Sequence, residues 1–538
     1  MTGGEILLEC LKAKGVRAIF GMPGTQNLAI YDAMHRAGAG IAHYLVRNEQ
    51  SATMMAGGFA RATGEIGVAL TVPGPGASNA STGIGDAFTD CQPVLLITGG
   101  FERFMDGRDR SKLFHGLDQA SFFRPIVRYF GCPQSAAEIP EIVQAAFTAI
   151  WSGRPGPAVL EIPPDVAAED GGQPMIPARV VPRVDQLPDR AAVAHAASLL
   201  SSCQRPAILA GGDVVASDAG IALEQLAMRL GAPVVLTRLG KGAMPTDSPL
   251  NFGNTRHKRA KAVLTAADAL VAVGVRFTQI DTANWRMAVP PCLIQIDRDP
   301  TEIGREFPVT AGLVGDLAPS IASLLQTLGE SPHAGGWNEL LPQIRTQHIR
   351  PPVPVLADIR QVLPRDGILV CDVTSLSYRA FDEYPIYGPR DFLYPCHYVT
   401  MGYSLPAAIG AKVACPDRPV VAMCGDGGVV MSIAELATAA QYDIAVVFVV
   451  VADNALMAIK ASQQKLYGGR LIDTEFPPPD FVALARSLGI DGVRAGDLGH
   501  FRKLLADALA TNKPSLIEVP MADRADEIMQ QIPWLTGE

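Results

Sequence analysis

The chain has 538 residues, of which 48% are hydrophobic and 18% charged, and carries a formal net charge of −9. That length exceeds a single hydrophobic core and predicts two to four domains, with three of about 170 residues as the natural division. The charge leaves no basic footprint for nucleic acid, no apolar run is long enough to predict a membrane span, and nine scattered cysteines without a C-x-x-C pair suggest neither a zinc site nor a disulfide framework.

In chain order, MTGGEILLECLKAKGV reads as an amphipathic helix rather than a secretory signal, because Glu5 and the lysines interrupt it. A reduced, cytoplasmic compartment is the default expectation. The first block, residues 1–170, alternates strand-like runs (18–20, 68–72 and 93–99) with helical patterns and ends at a polar, Gly-containing linker. Within it, Glu49 lies just past the apolar run IAHYLV and just before a helix patterned on Ala52, Met55, Ala56 and Phe59. Taken alone, Glu49 suits a first-turn carboxylate favoured by the helix dipole. The second block, 185–330, repeats the alternation, with strand-like runs at 206–212, 233–237, 269–275 and 292–297. A breaker-rich passage leads to the third block, 355–525, and an acidic, peripheral tail follows Ala522. Three consecutive α/β domains, each a doubly wound parallel sheet, are the economical reading.

The third block holds the sharpest pattern. An apolar run from Val420 to Cys424 ends at Gly425-Asp426-Gly427-Gly428. A helix-period segment follows, with Ile433, Leu436, Ala437 and Ala440 on one face, and a second apolar run, Val446 to Val451, stops at Asp453-Asn454. Strand, helix and strand in this order predict a βαβ unit, so Asp426 and Asp453 emerge at carboxyl ends of neighbouring parallel strands, where open α/β sheets bind ligands. Either carboxylate alone could be a helix N-cap. Together with the glycines they describe a site for a diphosphate bridged by Mg²⁺.

This pattern resembles the diphosphate-binding motif of thiamine diphosphate enzymes, a Gly-Asp-Gly followed one βαβ unit later by an Asn or Asp metal ligand. The stretch RNEQSATMMAGGFARATGEIGVALTVPGPGASN (47–79) looks like the pyrimidine-binding domain of the acetolactate synthase and benzoylformate decarboxylase branch. GRPGPAVLEIPPDV (153–166), GKGAMPTDSPLNFG (240–253), IQIDRDPTEIG (294–304) and the segment 398–428 extend the likeness over the whole chain. Its three blocks then become a pyrimidine-binding, a central Rossmann-like and a diphosphate-binding domain.

The resemblance implies a thiamine diphosphate- and Mg²⁺-dependent enzyme that decarboxylates a 2-oxo acid, then protonates the enamine or transfers it to a second carbonyl. Acetolactate synthase acting on pyruvate, a C–C lyase or hydrolase, and a silent regulatory homologue are the alternatives. Glu49 is implied to share a proton with the cofactor's aminopyrimidine. Asp426, Asp453 and the Ala455 carbonyl would hold the metal. Gly24, Thr25, Pro75, Asn79, Met401, Gly402, Ser404, Gly425, Gly427, Gly428 and Leu456 would line the cofactor, with Met401 as the bulky residue beneath it. His115 and Gln119, in FHGLDQASFFRPI, would face the reacting carbon. His397 is a second proton-donor candidate, and Arg276 and Lys460 are candidates for a substrate carboxylate.

Three departures qualify the likeness. Asn48 stands where a His commonly precedes the Glu. RFTQIDT (276–282) lacks the Arg-Phe-Asp-Asp-Arg run of flavin-containing acetolactate synthases, so FAD is not expected. Ala458 and Ser462 replace a larger Met and Trp. The family's sites are shared between subunits, which implies a homodimer or homotetramer.

Overall fold

The computed structural model describes residues 1–38, 40–173, 186–329, 335–346, 353–477 and 479–521. The tail after Ala522 lies outside them. Three six-stranded sheets carry the fold. The first contains β1 (Ala18–Gly21), β2 (Ala42–Leu45), β3 (Gly67–Thr71), β4 (Val94–Gly99), β5 (Tyr129–Gly131) and β6 (Ala158–Ile162), in the order β2-β1-β3-β4-β6-β5. The second contains β7 (Pro206–Ala210), β8 (Val234–Leu236), β9 (Asn251–Asn254), β10 (Ala269–Val273), β11 (Cys292–Asp297) and β12 (Ala311–Val314), in the order β12-β11-β10-β7-β8-β9. The third contains β13 (Ile368–Cys371), β14 (Phe392–Leu393), β15 (Val420–Gly425), β16 (Val446–Ala452), β17 (Asp491–Arg494) and β18 (Ser515–Pro520), in the order β14-β13-β15-β16-β18-β17. Pairing is parallel throughout the first two sheets and from β13 to β17 in the third. The inner strands, such as β3, β4, β7, β10, β15 and β16, are buried along nearly all their length and read as continuous apolar runs, whereas the edge strands β2, β9, β12 and β17 are partly exposed. No helix of the described residues is long and apolar enough to cross a membrane.

The chain forms two compact units. One holds the described residues among 1–183, 367–377 and 393–538, and hence the first sheet and, but for Phe392, the third; the other holds the described residues among 184–366 and 378–392. Within the first unit, the helix Glu49–Thr63 is buried almost all round, because it lies between its own sheet and the helix Ser404–Ala414 of the third block. Gly58 packs against the Ala407 carbonyl and Gly410 against the Met55 carbonyl, so closely that a Cβ at either glycine would clash with backbone. The Arg61 guanidinium lies over the Tyr403 ring. These pairs, 55 with 410, 58 with 407 and 61 with 403, run in opposite order along the two helices, so the helices cross antiparallel. Glu49 therefore stands at one end of the crossing and Met401 at the other, roughly 18 Å apart along an axis that rises 1.5 Å per residue.

The crossover between β15 and β16 differs from the single helix that the sequence pattern predicts. It is broken into a short turn of helix at Asp426–Val429, a 3₁₀ turn at Ile433–Glu435 and the helix Leu436–Gln441. Its buried side is centred on Glu435, Leu436, Thr438 and Ala439 rather than on Ile433, Leu436, Ala437 and Ala440. The reason is Glu435, whose carboxylate turns inward to accept the backbone N–H groups of Arg47 (3.0 Å) and Asn48 (3.1 Å) and the Thr438 hydroxyl (2.7 Å). A tertiary anchor here overrides the local apolar period.

Candidate active site

In the first sheet's half of this unit, the segments after β1, β2 and β3 converge. Gly24, which opens the turn Thr25–Asn27, packs on Val72. Glu49 is the first residue of its helix, behind an Asn48 N-cap, and its Oε2 accepts a hydrogen bond from Asn79 Nδ2 at 3.1 Å. Pro75 opens the next helix, and a Cβ at Gly76 would lie 3.2 Å from Glu49 Oε1, so Pro75 and Asn79 share a turn beside that carboxylate. Thr25 is exposed. The loop carrying His115 comes down on Gly74. His115 itself has φ 60°, its ring stacks on Phe114, and its Nδ1 is buried without a hydrogen-bond partner. A buried, unmatched ring nitrogen is costly unless a ligand or water meets it.

Gln119 behaves differently. It is buried, accepts from the Thr98 hydroxyl (2.9 Å) and donates to the Gly99 carbonyl (3.1 Å), so both ends of its amide tie the loop to β4. Beside it, burial pushes the Glu161 carboxyl up to about 7 against the opposing pull of Arg110. Lys460, a substrate-anchor candidate, is paired with Glu475 at 2.6 Å. His397 directs Nδ1 to Asp90 at 2.6 Å.

In the third sheet's half, Gly425 ends β15 and Asp426 turns back into the loop. Its Oδ1 accepts from Gly427 N (2.7 Å), and its Oδ2 accepts from Asp453 N (3.0 Å) and Asn454 N (2.6 Å). The carboxylate thus fastens the end of β15 to the end of β16, with Asn454 in the left-handed region, which Asn tolerates. Met401, Leu456, Gly427 and Gly402 gather around this turn. A Cβ at Gly427 would lie 2.9 Å from Leu456 and 3.8 Å from the Met401 methyl, and one at Gly428 would lie 3.5 Å from Gly402 N. Ser404, in contrast, is buried and gives both its N–H and its hydroxyl to Asp372 Oδ2, each at 3.0 Å.

Asp372 and Glu435 escape the motif reading, yet both shape the site. Asp372 is fully buried and also accepts from Val373 N (2.8 Å) and Gly402 N (3.0 Å), so it suspends the Met401–Ser404 turn. It ends an apolar run, LVCD, as Asp426 and Asp453 do, and that shared position was a usable signal. Glu435 offered none, because its partners lie far away in sequence.

Electrostatics test whether the residues fit the implied group. Burial raises the Asp426 carboxyl, offset in part by its three N–H donors. Burial, and then the Asp426 charge, push Asp453 up to about 7. Two acidic groups left this uncompensated suit a divalent cation. Among the described residues no third His, Cys, Asp or Glu joins them. The remaining oxygens would come from backbone and from a ligand such as a diphosphate, which glycines without a Cβ allow to approach the turn closely. The residues fit.

Comparison with known proteins agrees. Residues 1–122, 193–324 and 372–519 match, in turn, the N-terminal TPP binding domain, the central domain and the C-terminal TPP binding domain of thiamine pyrophosphate enzymes. The chain is 35% identical to a probable acetolactate synthase large subunit of Methanocaldococcus jannaschii, over 96% of this chain and 92% of that protein. It is 36% identical to the acetolactate synthase large subunit of Parasynechococcus marenigrum, over 96% and 87%. It is 32% identical to a probable 2-ketoarginine decarboxylase of Pseudomonas aeruginosa, over 96% and 94%. With all three blocks matched and relatives of this likeness covering nearly its full length, the chain belongs to the thiamine pyrophosphate enzymes.

Proposed function

We propose that this enzyme decarboxylates a 2-oxo acid with thiamine diphosphate and Mg²⁺, and either protonates the remaining fragment or joins it to a second carbonyl. The observation that carries the reading is the Asp426–Asp453 pair, a buried and a half-buried carboxylate, raised despite nearby Lys460, at adjoining strand ends beside Gly425, Gly427 and Gly428. Thiamine diphosphate supplies a carbon nucleophile for a carbonyl and an electron sink for the bond cleaved beside it.

The chain's own residues do the rest. Asp426, Asp453 and the Ala455 carbonyl would hold the metal, and the Gly425–Gly428 turn, Leu456 and Gly402 would hold the diphosphate end. Met401 supports the middle of the cofactor. Gly24, Thr25, Pro75 and Asn79 would line the other end, where the Glu49 carboxylate, its Oε2 oriented by Asn79, would face the aminopyrimidine. His115, with its unmatched Nδ1, is the better proton carrier toward substrate. Gln119 and Ser404 act by holding backbone in place.

Because Glu49 and Met401 of one chain sit at opposite ends of the antiparallel helix pair, one chain does not bring both to one cofactor. This supports a homodimer or homotetramer in which two chains share each site. Mixing inactive Glu49→Gln chains with inactive Asp426→Ala chains should restore part of the activity. The Glu49→Gln chain alone should fold and bind cofactor but turn over about 10²–10⁴-fold more slowly. A fully active monomer would overturn the shared site. A cytoplasmic enzyme without FAD completes the reading.

A second reading, acetolactate synthase acting on pyruvate, draws on the relatives of that name. The half-buried Ala458 and Ser462, one helical turn apart, favour a different 2-oxo acid, since they leave room where bulk would restrict the substrate.

A further inference from the structure

The segment that delivers Met401 is held from both sides by buried carboxylates. Asp372 takes the downstream side through Gly402 and Ser404. On the upstream side stands Asp90, the residue that caps the helix Pro75–Thr89. Its Oδ2 accepts from Cys396 N (2.7 Å), and its Oδ1 accepts from His397 N (3.1 Å) and meets His397 Nδ1 (2.6 Å). Arg61, buried at the end of the Glu49 helix, donates through Nη2 to Asp90 (2.7 Å) and Asp86 (3.0 Å) and through Nη1 to the Tyr394 carbonyl (3.1 Å). Between the two anchors, Val399 adopts φ 56°, a left-handed conformation that a β-branched residue rarely accepts. Strain of this kind persists only where the surroundings over-determine it.

We infer that Arg61, Asp90 and His397 form a positioning clamp that holds the strap Cys396–Gly402 in its strained course and so sets Met401 against the cofactor turn. The inference rests on the proposed role of Met401 and adds residues from the first block to it. His397 acts here through Asp90 and the backbone, as a positioning residue.

Four single variants and one double test it, with cofactor affinity read by fluorescence titration beside kcat and thermal unfolding. His397→Ala, which spares the Arg61–Asp90 pair, should stay folded, weaken thiamine diphosphate binding and lower kcat about 10- to 100-fold, the scale expected for a small misplacement. His397→Asn can still donate to Asp90 and should recover most of both. Met401→Ala should show the same two losses, and His397→Ala combined with Met401→Ala should be no worse than Met401→Ala alone, because both act on one contact. Asp90→Asn should resemble His397→Ala wherever it folds. If Met401→Ala is deleterious but His397→Ala leaves affinity and kcat at wild-type values, the clamp is wrong and the Met401 role survives. If Met401→Ala changes nothing, the Met401 role itself fails and the clamp falls with it. Equal losses in His397→Asn and His397→Ala, additive with Met401→Ala, would mean that His397 transfers protons, and would also overturn the clamp.

Discussion

The first unit contains two pairs of carboxylates withdrawn from solvent, Asp86 with Asp90 and Asp426 with Asp453, and the protein compensates them to different degrees. Asp86 and Asp90 enclose Arg61, so their cation is part of the chain. Burial raises both carboxyls: Arg61 and His397 overcome it at Asp90 and hold that group well below the usual carboxylate range, whereas at Asp86 burial outweighs Arg61 and leaves the group at about 6, so this pair carries one firmly charged member. Asp426 and Asp453 have backbone N–H groups, each other and only a small opposing pull from Lys460, whose ammonium is paired with Glu475, and both are raised. A chain that buries paired carboxylates includes a cation, leaves one to be bound, or takes up a proton in its absence. The first arrangement builds structure and the second builds a site.

The largest expected contrast is in cofactor retention. Asp426→Ala and Asp453→Ala should each abolish Mg²⁺-dependent retention of thiamine diphosphate, measured by equilibrium dialysis with and without chelator. Unchanged affinity in both would reduce the Gly-Asp-Gly turn to a structural one.

Next in size is the loss of the built-in cation. Arg61→Met takes the cation from buried Asp86 and leaves Asp90 with His397 and backbone N–H groups, and should lower unfolding stability by about 3–5 kcal/mol in urea titrations. A variant as stable as wild type would erase the contrast between the pairs.

The pH dependence sharpens the comparison from the other side. In metal-free protein, Asp453 has a folded pKa of about 7, above its ordinary 3.8, so the folded state binds the proton more readily than the unfolded chain. Stability should therefore fall as pH rises from about 4 to about 7, a span worth on the order of 2–4 kcal/mol, and Asp453→Asn should flatten that decline. Asp90, with a depressed pKa, has the reverse sign: its contribution is present above the ordinary carboxylate value and is lost as pH falls through the folded one. A metal-free wild type whose stability is flat across neutrality, and matched by Asp453→Asn, would remove the uncompensated charge from the argument.

The smallest effect concerns substrate choice. Enlarging Ala458 to Met should shift preference toward smaller 2-oxo acids by only ~1–3 kcal/mol per methylene of contact. The wild-type protein should be colourless and weak on pyruvate alone. Stoichiometric flavin, or acetolactate formed from pyruvate faster than any other product, would favour the acetolactate synthase reading.

The sequence alone determined the three-block α/β organisation, because strands buried on both faces must be apolar throughout and their crossovers keep a helical period. It also located Asp426 and Asp453, since a carboxylate that ends an apolar strand is a local feature. The same rule applied at LVCD would have reached Asp372. Glu435, Asp90 and Arg61 were not legible, because each draws its meaning from partners tens or hundreds of residues away: Glu435 from Arg47 and Asn48, Asp90 from Cys396 and His397, and Arg61 from Tyr394. The broken crossover after Asp426 was lost for the same reason. Only the tertiary structure decided that Glu49 and Met401 of one chain lie at opposite ends of an antiparallel crossing, because that geometry depends on Gly58 and Gly410 letting two backbones touch, which no period in either helix records.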